Sequence, residues 1–192
     1  MSRSNVIFRR FLRNPGQIGA IAPSSNRLCR ELVTWLEIDN AAAVAELGPG
    51  TGAVTREMLR QKGANTRFFA VELDPEISKV FRENMPGVKL YNANACELEN
   101  ICRRENVEAL DAVVSGLPWA AFPEEVQRSI LAALVKSLAP GGKFTTFAYL
   151  QGLLLPAGKR FRRLLNEYFS DVETSKVVWR NLPPAITYRC IK

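Results

Sequence analysis

Residues 42–52 read Ala42-Ala43-Val44-Ala45-Glu46-Leu47-Gly48-Pro49-Gly50-Thr51-Gly52, a short apolar run closing in a loop with glycine at every second position. Helical periodicity resumes at Val54 and continues to Gln61. A strand that turns into a helix through such a loop opens a βαβ unit. The glycines let the backbone adopt conformations other residues resist and approach a ligand closely. The spacing is GxGxG, not the GxGxxG of dinucleotide binders.

The same alternation continues outward. Further β-rich runs occur at Phe68–Leu73, Val88–Asn92, Ala112–Ser115 and Phe144–Tyr149. Helical segments lie between them, among them Pro75–Asn84 and Glu124–Leu138, the last closed by Ala139-Pro140-Gly141-Gly142. Upstream, Ser24 and Ser25 precede an apolar rhythm at Leu28, Leu32, Trp35 and Leu36, the pattern of a capped helix. Strands alternating with helices predict a doubly wound, mostly parallel sheet with helices on both faces. Val172–Trp179 and Ala185–Cys190, separated by Asn181-Leu182-Pro183-Pro184, predict an antiparallel C-terminal pair at the edge, making seven strands. The 192 residues suffice for one main domain.

Charge is unevenly distributed. Residues 1–35 carry six Arg and one Glu, residues 36–155 carry 12 basic and 15 acidic side chains, and residues 156–192 carry eight basic and three acidic. Both ends are basic and the middle is mildly acidic, which points to an anionic surface, nucleic acid or membrane, touched by the ends. The chain has no histidine, which excludes His-based triads and His-ligated metals. Cys29, Cys96, Cys102 and Cys190 form no CxxC pair, so neither a metal site nor a disulfide framework is expected and a reducing compartment is. No run reaches the roughly 18 to 20 apolar residues that span a bilayer, and Arg9, Arg10 and Arg13 stand where a signal peptide keeps its apolar stretch. A cytoplasmic protein is expected.

Glu72 ends the second strand, twenty residues beyond Gly52, in Val71-Glu72-Leu73-Asp74. A carboxylate there can accept hydrogen bonds from two ribose hydroxyls, so loop and acid together describe a nucleoside site. The plainer alternative is a tight turn followed by a surface acid. The sequence ELGPGTG followed by VELD resembles motifs I and II of the class I S-adenosylmethionine-dependent methyltransferases, whose fold is Rossmann-like. The resemblance implies that Glu46, Gly48, Gly50 and Gly52, with Pro49 and Thr51, hold the methionine part of S-adenosylmethionine, and that Glu72 with Leu73 holds the ribose. It further implies that Asn94 contacts the adenine amine and that Ala95 and Ser115 belong to the cofactor site; Asn94 also reads as a helix cap. S-adenosylhomocysteine would be the product, and no metal is implied.

The fourth strand ends in Val113-Val114-Ser115-Gly116-Leu117-Pro118-Trp119, at the carboxyl edge where ligands bind in such sheets. Leu-Pro-Trp here resembles the Asn-Leu-Pro-Tyr motif of the rRNA adenine dimethyltransferases, but Ser115-Gly116 replaces the Asn that receives a base amine. A smaller, tetrahedral amine fits better. Such an amine is mostly protonated at neutral pH, like Lys at about 10.4, and no histidine is present to take its proton. The resemblance implies that the carbonyls of Ser115 and Leu117 orient it, with Trp119 beside them. Trp119, Tyr149, Trp179 and Tyr188 are candidate aromatic faces for a methylated cation, or ordinary packing residues.

At about 100° per residue, Ile7, Phe8, Phe11 and Leu12 fall on one arc of an N-terminal helix and Arg9, Arg10 and Arg13 on the other. That is the pattern of a helix lying in an anionic membrane interface, or of one packed on the domain with solvated arginines. Lys159, Arg160, Arg162 and Arg163 around Phe161 and Leu164 predict a second basic helix touching the same surface. Phe11-Leu12-Arg13-Asn14-Pro15, Ile18-Gly19-Ala20-Ile21-Ala22-Pro23-Ser24-Ser25, ELGPGTG, VELD, SGLPW and Val178-Trp179-Arg180-Asn181-Leu182-Pro183-Pro184-Ala185 follow one another in this order. Together they resemble the bacterial phospholipid N-methyltransferases over nearly the whole chain. The resemblance implies methylation of phosphatidylethanolamine toward phosphatidylcholine at the inner membrane face, with Arg180 contacting phosphate. It also implies a membrane-binding and lid segment at residues 1–38, a catalytic core at 39–192, and a monomer with no nucleic-acid partner. The competing readings are an RNA adenine N6-methyltransferase, which would put label in RNA, and a noncatalytic lipid-binding module, which would bind liposomes without consuming cofactor.

Overall fold

A computed structural model describes residues 24–192. The segment Ile7–Arg13, expected to form the membrane helix, lies outside the described residues. The strands are β1 (Ala43–Leu47), β2 (Arg67–Glu72), β3 (Lys89–Asn92), β4 (Leu110–Ser115), β5 (Leu138–Tyr149), β6 (Asp171–Thr174) and β7 (Ala185–Ile191). They form one sheet in the order β3-β2-β1-β4-β5-β7-β6. The first five are parallel, and β7 runs antiparallel to both β5 and β6. The helices are α1 (Asn26–Thr34), α2 (Ala53–Gln61), α3 (Pro75–Asn84), α4 (Leu98–Arg104), α5 (Glu124–Ser137), α6 (Leu150–Leu153) and α7 (Pro156–Tyr168).

Every residue of β1 is buried, as expected for a central parallel strand covered on both faces. Ala43, Ala45 and Leu47 pack with Val113, Phe144, Leu131 and Phe161 under α4, α5 and α7. Val44 faces the other way, with Ala112 and Val114, toward Leu28, Leu32 and Met58 of α1 and α2. The Ser25 hydroxyl starts α1 by accepting from the Leu28 N–H. Because Leu28, Cys29, Leu32 and Val33 are all buried, α1 is a layer of the domain. The α/β fold expected from the alternating pattern, with its antiparallel end, is the fold observed.

Three details differ from expectation. The edge strand β6 stops at Thr174: beyond it a single bridge, Val178 to Ala185, replaces the ladder, so the β-rich residues 175–179 form a loop. Residues Ala139–Gly142 do not close α5, which ends at Ser137; they form an irregularity within β5, where the register against β4 shifts and Gly141 takes φ +72°. The apolar face of α7 is also not free for a membrane, because Phe161, Leu164 and Leu165 are buried in the core. Amphipathic periodicity alone does not say which apolar phase covers the helix.

Candidate functional site

In the sheet order, β1 lies between β2 and β4, and the chain reverses its winding direction there; ligands bind at the carboxyl ends of strands at such a point. The loops after β1 and β4 meet backbone to backbone at this position. The Gly48 N–H donates to the Val71 carbonyl at 2.9 Å, and the Gly116 N–H donates to the Leu47 carbonyl at 2.8 Å. A Cβ on Gly116 would lie 2.5 Å from the Gly48 carbonyl oxygen.

Gly48, Gly50 and Gly52 take φ of +68°, +57° and +90°, the left-handed region that penalises other residues. Gly52 also caps α2. A Cβ on Gly50 would meet nothing within 4 Å, so the loop leaves a bare backbone facing open space. Beside it, the buried Glu72 carboxylate accepts from the Asp74 N–H at 3.0 Å, and the backbone N–H groups of Gly50 and Leu73 lie close enough to favour its charged form. Burial raises its pKa, and those N–H groups pull it back. An open glycine cradle with a carboxylate at its wall fits a nucleoside cofactor bearing vicinal hydroxyls.

Glu46, at the end of β1, is wholly buried and accepts from the Thr55 hydroxyl at 2.6 Å. Burial pushes its pKa up to about 7; the Glu72 charge adds to the rise, and the Thr55 hydrogen bond opposes it. Asn92 locks the β2 and β3 ends together: its amide donates to the Glu72 and Leu73 carbonyls at 2.9 and 3.0 Å and to the Ser78 hydroxyl at 3.1 Å. Sequence reasoning missed Thr55 and Asn92. The available signal was a polar side chain near an element end, Thr55 in the first turn of α2 and Asn92 at the end of β3. The Asn94 side chain accepts from the Cys96 N–H at 3.0 Å within a capping box, the helix-cap alternative in the sequence. Ala95 lies beneath it in the core.

The acceptor segment is more enclosed than expected. Ser115 is fully buried: its hydroxyl accepts from the Leu117 N–H and the Trp119 indole, and its carbonyl accepts from the Thr146 hydroxyl at 3.0 Å. The Leu117 carbonyl accepts from the Trp119 N–H at 2.9 Å. Each of these carbonyls thus already holds one donor and keeps its second lone pair. Within Ser115–Trp119, the Gly116 carbonyl is the one without a hydrogen-bond partner among the described residues. Trp119 is not an open aromatic wall, since it stacks on Phe161 at 4.9 Å and 18° and is edge-packed by Phe122 and Phe144. Tyr188 is likewise taken into the core beneath α7, edge-on to Phe161. Tyr149, Trp179 and Arg180 do gather at the carboxyl edge, since Ala185 pairs with Tyr149 on one side and bridges to Val178 on the other.

The methyltransferase-domain family matches residues 44–142, which span β1 through the start of β5. Over 184 residues, 94% of this chain and 92% of the relative, the sequence is 32% identical to an ornithine lipid N-methyltransferase of Singulisphaera acidiphila. A tRNA1(Val) (adenine(37)-N6)-methyltransferase of Aeromonas hydrophila is 24% identical over 58% of this chain and 53% of its own length. Among solved structures, an O-methyltransferase from Bacillus cereus in complex with S-adenosylhomocysteine superposes with a TM-score of 0.68 at 14% identity, covering 97% of this chain and 91% of that one. With the family matched over half its length and the glycine cradle in place at the strand-order reversal, the chain belongs to the methyltransferase-domain family and is a class I S-adenosylmethionine-dependent methyltransferase.

Proposed function

We propose that this enzyme methylates the amine of a membrane lipid, with phosphatidylethanolamine as acceptor and phosphatidylcholine as the end of the series. The observation that carries the reading is the 32% identity, across nearly both full lengths, to a relative whose name assigns it ornithine lipid. Ornithine and ethanolamine headgroups share a primary alkylamine on an amphiphile.

S-adenosylmethionine supplies an electrophilic methyl group on a sulfonium. Residues Gly48–Gly52 cradle its methionine part against bare backbone, Glu72 accepts from the ribose hydroxyls, and Asn94 borders the adenine. The Gly116 carbonyl, which has no donor among the described residues, accepts a hydrogen bond from the incoming amine, beside the Ser115 and Leu117 carbonyls. Tyr149 and Trp179 flank the headgroup, with Arg180 at the same edge. With no histidine in the chain, the amine proton leaves to water, and the acceleration comes from aligning amine and methyl.

Glu46 gives this reading a pH signature. Its raised pKa means the folded protein holds a proton there that an unfolded chain releases. That contribution to stability is complete below the ordinary carboxylate range and fades as pH rises through about 7. A cationic cofactor beside Glu46 favours the ionised form, so binding releases a proton. S-adenosylmethionine affinity, measured by calorimetry, should rise between about pH 6 and pH 8, and Glu46→Gln should abolish that rise.

Membrane attachment is assigned to the Ile7–Arg13 segment, while α1 belongs to the catalytic core because its buried face packs on the sheet; the enzyme works as a monomer at the inner face. No helix among the described residues is long and apolar enough to cross a membrane. The carboxyl edge adds support. Leu154, Leu155, Trp179 and Leu182 are 56–79% exposed, and their segments are joined by the Leu150 N–H donating to the Pro184 carbonyl. Exposed apolar clusters of this kind mark interaction surfaces. Arg9→Glu, Arg10→Glu and Arg13→Glu together should weaken partition onto anionic vesicles by at least a hundredfold, since each arginine near such a surface contributes about 1 kcal/mol; cosedimentation measures this. The acceptor itself is tested by chromatographic separation of labelled mono-, di- and trimethylated products from phosphatidylethanolamine vesicles. Absence of all three would remove this acceptor.

A further inference from the structure

A cavity of about 490 Å³, separate from the glycine cradle, lies between the first turns of α7 and the β6–β7 face. Its volume is that of ordinary small-molecule sites, about 300 to 1,000 Å³. Leu150, Leu153, Val177 and Ile186 supply apolar walls, and Tyr188, Lys159 and Arg162 supply the polar groups; no carboxylate lines it.

Two observations indicate what it takes. Tyr188 is 1% exposed, yet its hydroxyl has no hydrogen-bond partner among the described residues. The hydroxyl is not fully enclosed: Tyr188 borders the cavity, so the group is available to a ligand there. Desolvation holds this phenol in its neutral form while the nearby Arg162 charge acts in the opposite direction, so Tyr188 lines the cavity as a neutral phenol able to donate. The basic side chains of α7 divide in the same sense. Arg163 pairs with Glu124 and Glu167, and Arg160 donates to the Phe122 carbonyl. Lys159 and Arg162, the two on the cavity, form no ion pair among the described residues. Two unpaired cations and an unpaired hydroxyl donor above apolar walls are complementary to an anionic head carried on a hydrocarbon chain.

We infer that this cavity binds the anionic group and adjoining chain of an amphiphile, with Arg162 and Tyr188 donating to the anion and Leu150, Leu153, Val177 and Ile186 covering the chain. As a subsite for the acceptor lipid it rests on the proposed function. It starts at Leu150, the residue after Tyr149 at the carboxyl end of β5, so a lipid entering at the exposed Leu154 and Leu155 reaches it from the same edge.

The test titrates the full chain, below micelle-forming concentrations, with dodecyl phosphate, dodecanol and inorganic phosphate by calorimetry. Dodecyl phosphate is expected to bind one per chain. Arg162→Gln and Tyr188→Phe should each weaken it about tenfold or more, the loss of one charge-assisted hydrogen bond to the anion. Both variants should retain wild-type affinity for S-adenosylhomocysteine, which shows that they fold. Equal affinity of wild type and Arg162→Gln would overturn the proposal. So would dodecanol binding as tightly as the phosphate ester, or inorganic phosphate doing so, which would make the site one for free phosphate and not for a lipid. In transfer assays on vesicles, Arg162→Gln should raise KM for lipid and spare kcat. A chain that shows the dodecyl phosphate pattern but methylates no lipid keeps the site and loses the lipid-amine reading; one that methylates lipid without the pattern does the reverse.

Discussion

Gly116→Ala should lower the melting temperature by roughly 6–12 °C, the equivalent of about 3 kcal/mol in a chain of this size, and should abolish cofactor binding. The added methyl would sit 2.5 Å from the Gly48 carbonyl oxygen and 3.9 Å from that of Leu47, both backbone atoms. No side-chain rotation relieves such a contact, so β4 must move away from β1 and stretch the bond from the Gly116 N–H to the Leu47 carbonyl. The damage falls where the glycine cradle meets the acceptor segment. A methyl added at Gly87 meets nothing within 4 Å, so Gly87→Ala serves as a control and should melt within about 1 kcal/mol of wild type. Thermal denaturation with S-adenosylhomocysteine titration on both variants checks the pair.

Glu72→Ala should weaken S-adenosylmethionine binding by more than a hundredfold, since two charge-assisted hydrogen bonds to ribose contribute about 1.5–3 kcal/mol each. The change reaches further than the ribose. The Asp74 N–H loses its acceptor, and the nearby N–H groups of Gly50 and Leu73 lose the charge they face. Glu46 loses a like charge and should titrate lower than in wild type, moving the pH dependence of cofactor binding toward acid. Vesicle binding should be unchanged. Calorimetric affinity at wild-type level in Glu72→Ala would refute the ribose assignment.

The order and type of the main elements were legible because each strand of the parallel sheet is a short apolar run and each helix carries a cap or a clear period. The helix of Pro75–Asn84 has the bounds read from the sequence, with Asp74 capping and Pro75 in its first turn. What failed depended on neighbours distant in the chain. Whether Val172–Trp179 makes a full strand depends on whether β7 runs beside it, and it does so only as far as Thr174. Whether Trp119 lines a site or fills the core depends on Phe161, forty-two residues later, arriving on its face. The same contact decides that the apolar stripe of α7 serves the core. The identities of the cradle residues were legible from spacing, while the Thr55 and Asn92 bonds that hold the acids in place were not, because a single threonine or asparagine carries no period.

The central claim, that the acceptor is a lipid amine, is tested most directly in one mixture of enzyme, methyl-labelled S-adenosylmethionine, phosphatidylethanolamine vesicles and bacterial RNA, followed by partition between organic and aqueous phases. The account predicts label in the organic phase, displaced by unlabelled lipid amine and indifferent to nuclease. Label confined to the aqueous phase and released by nuclease would contradict it.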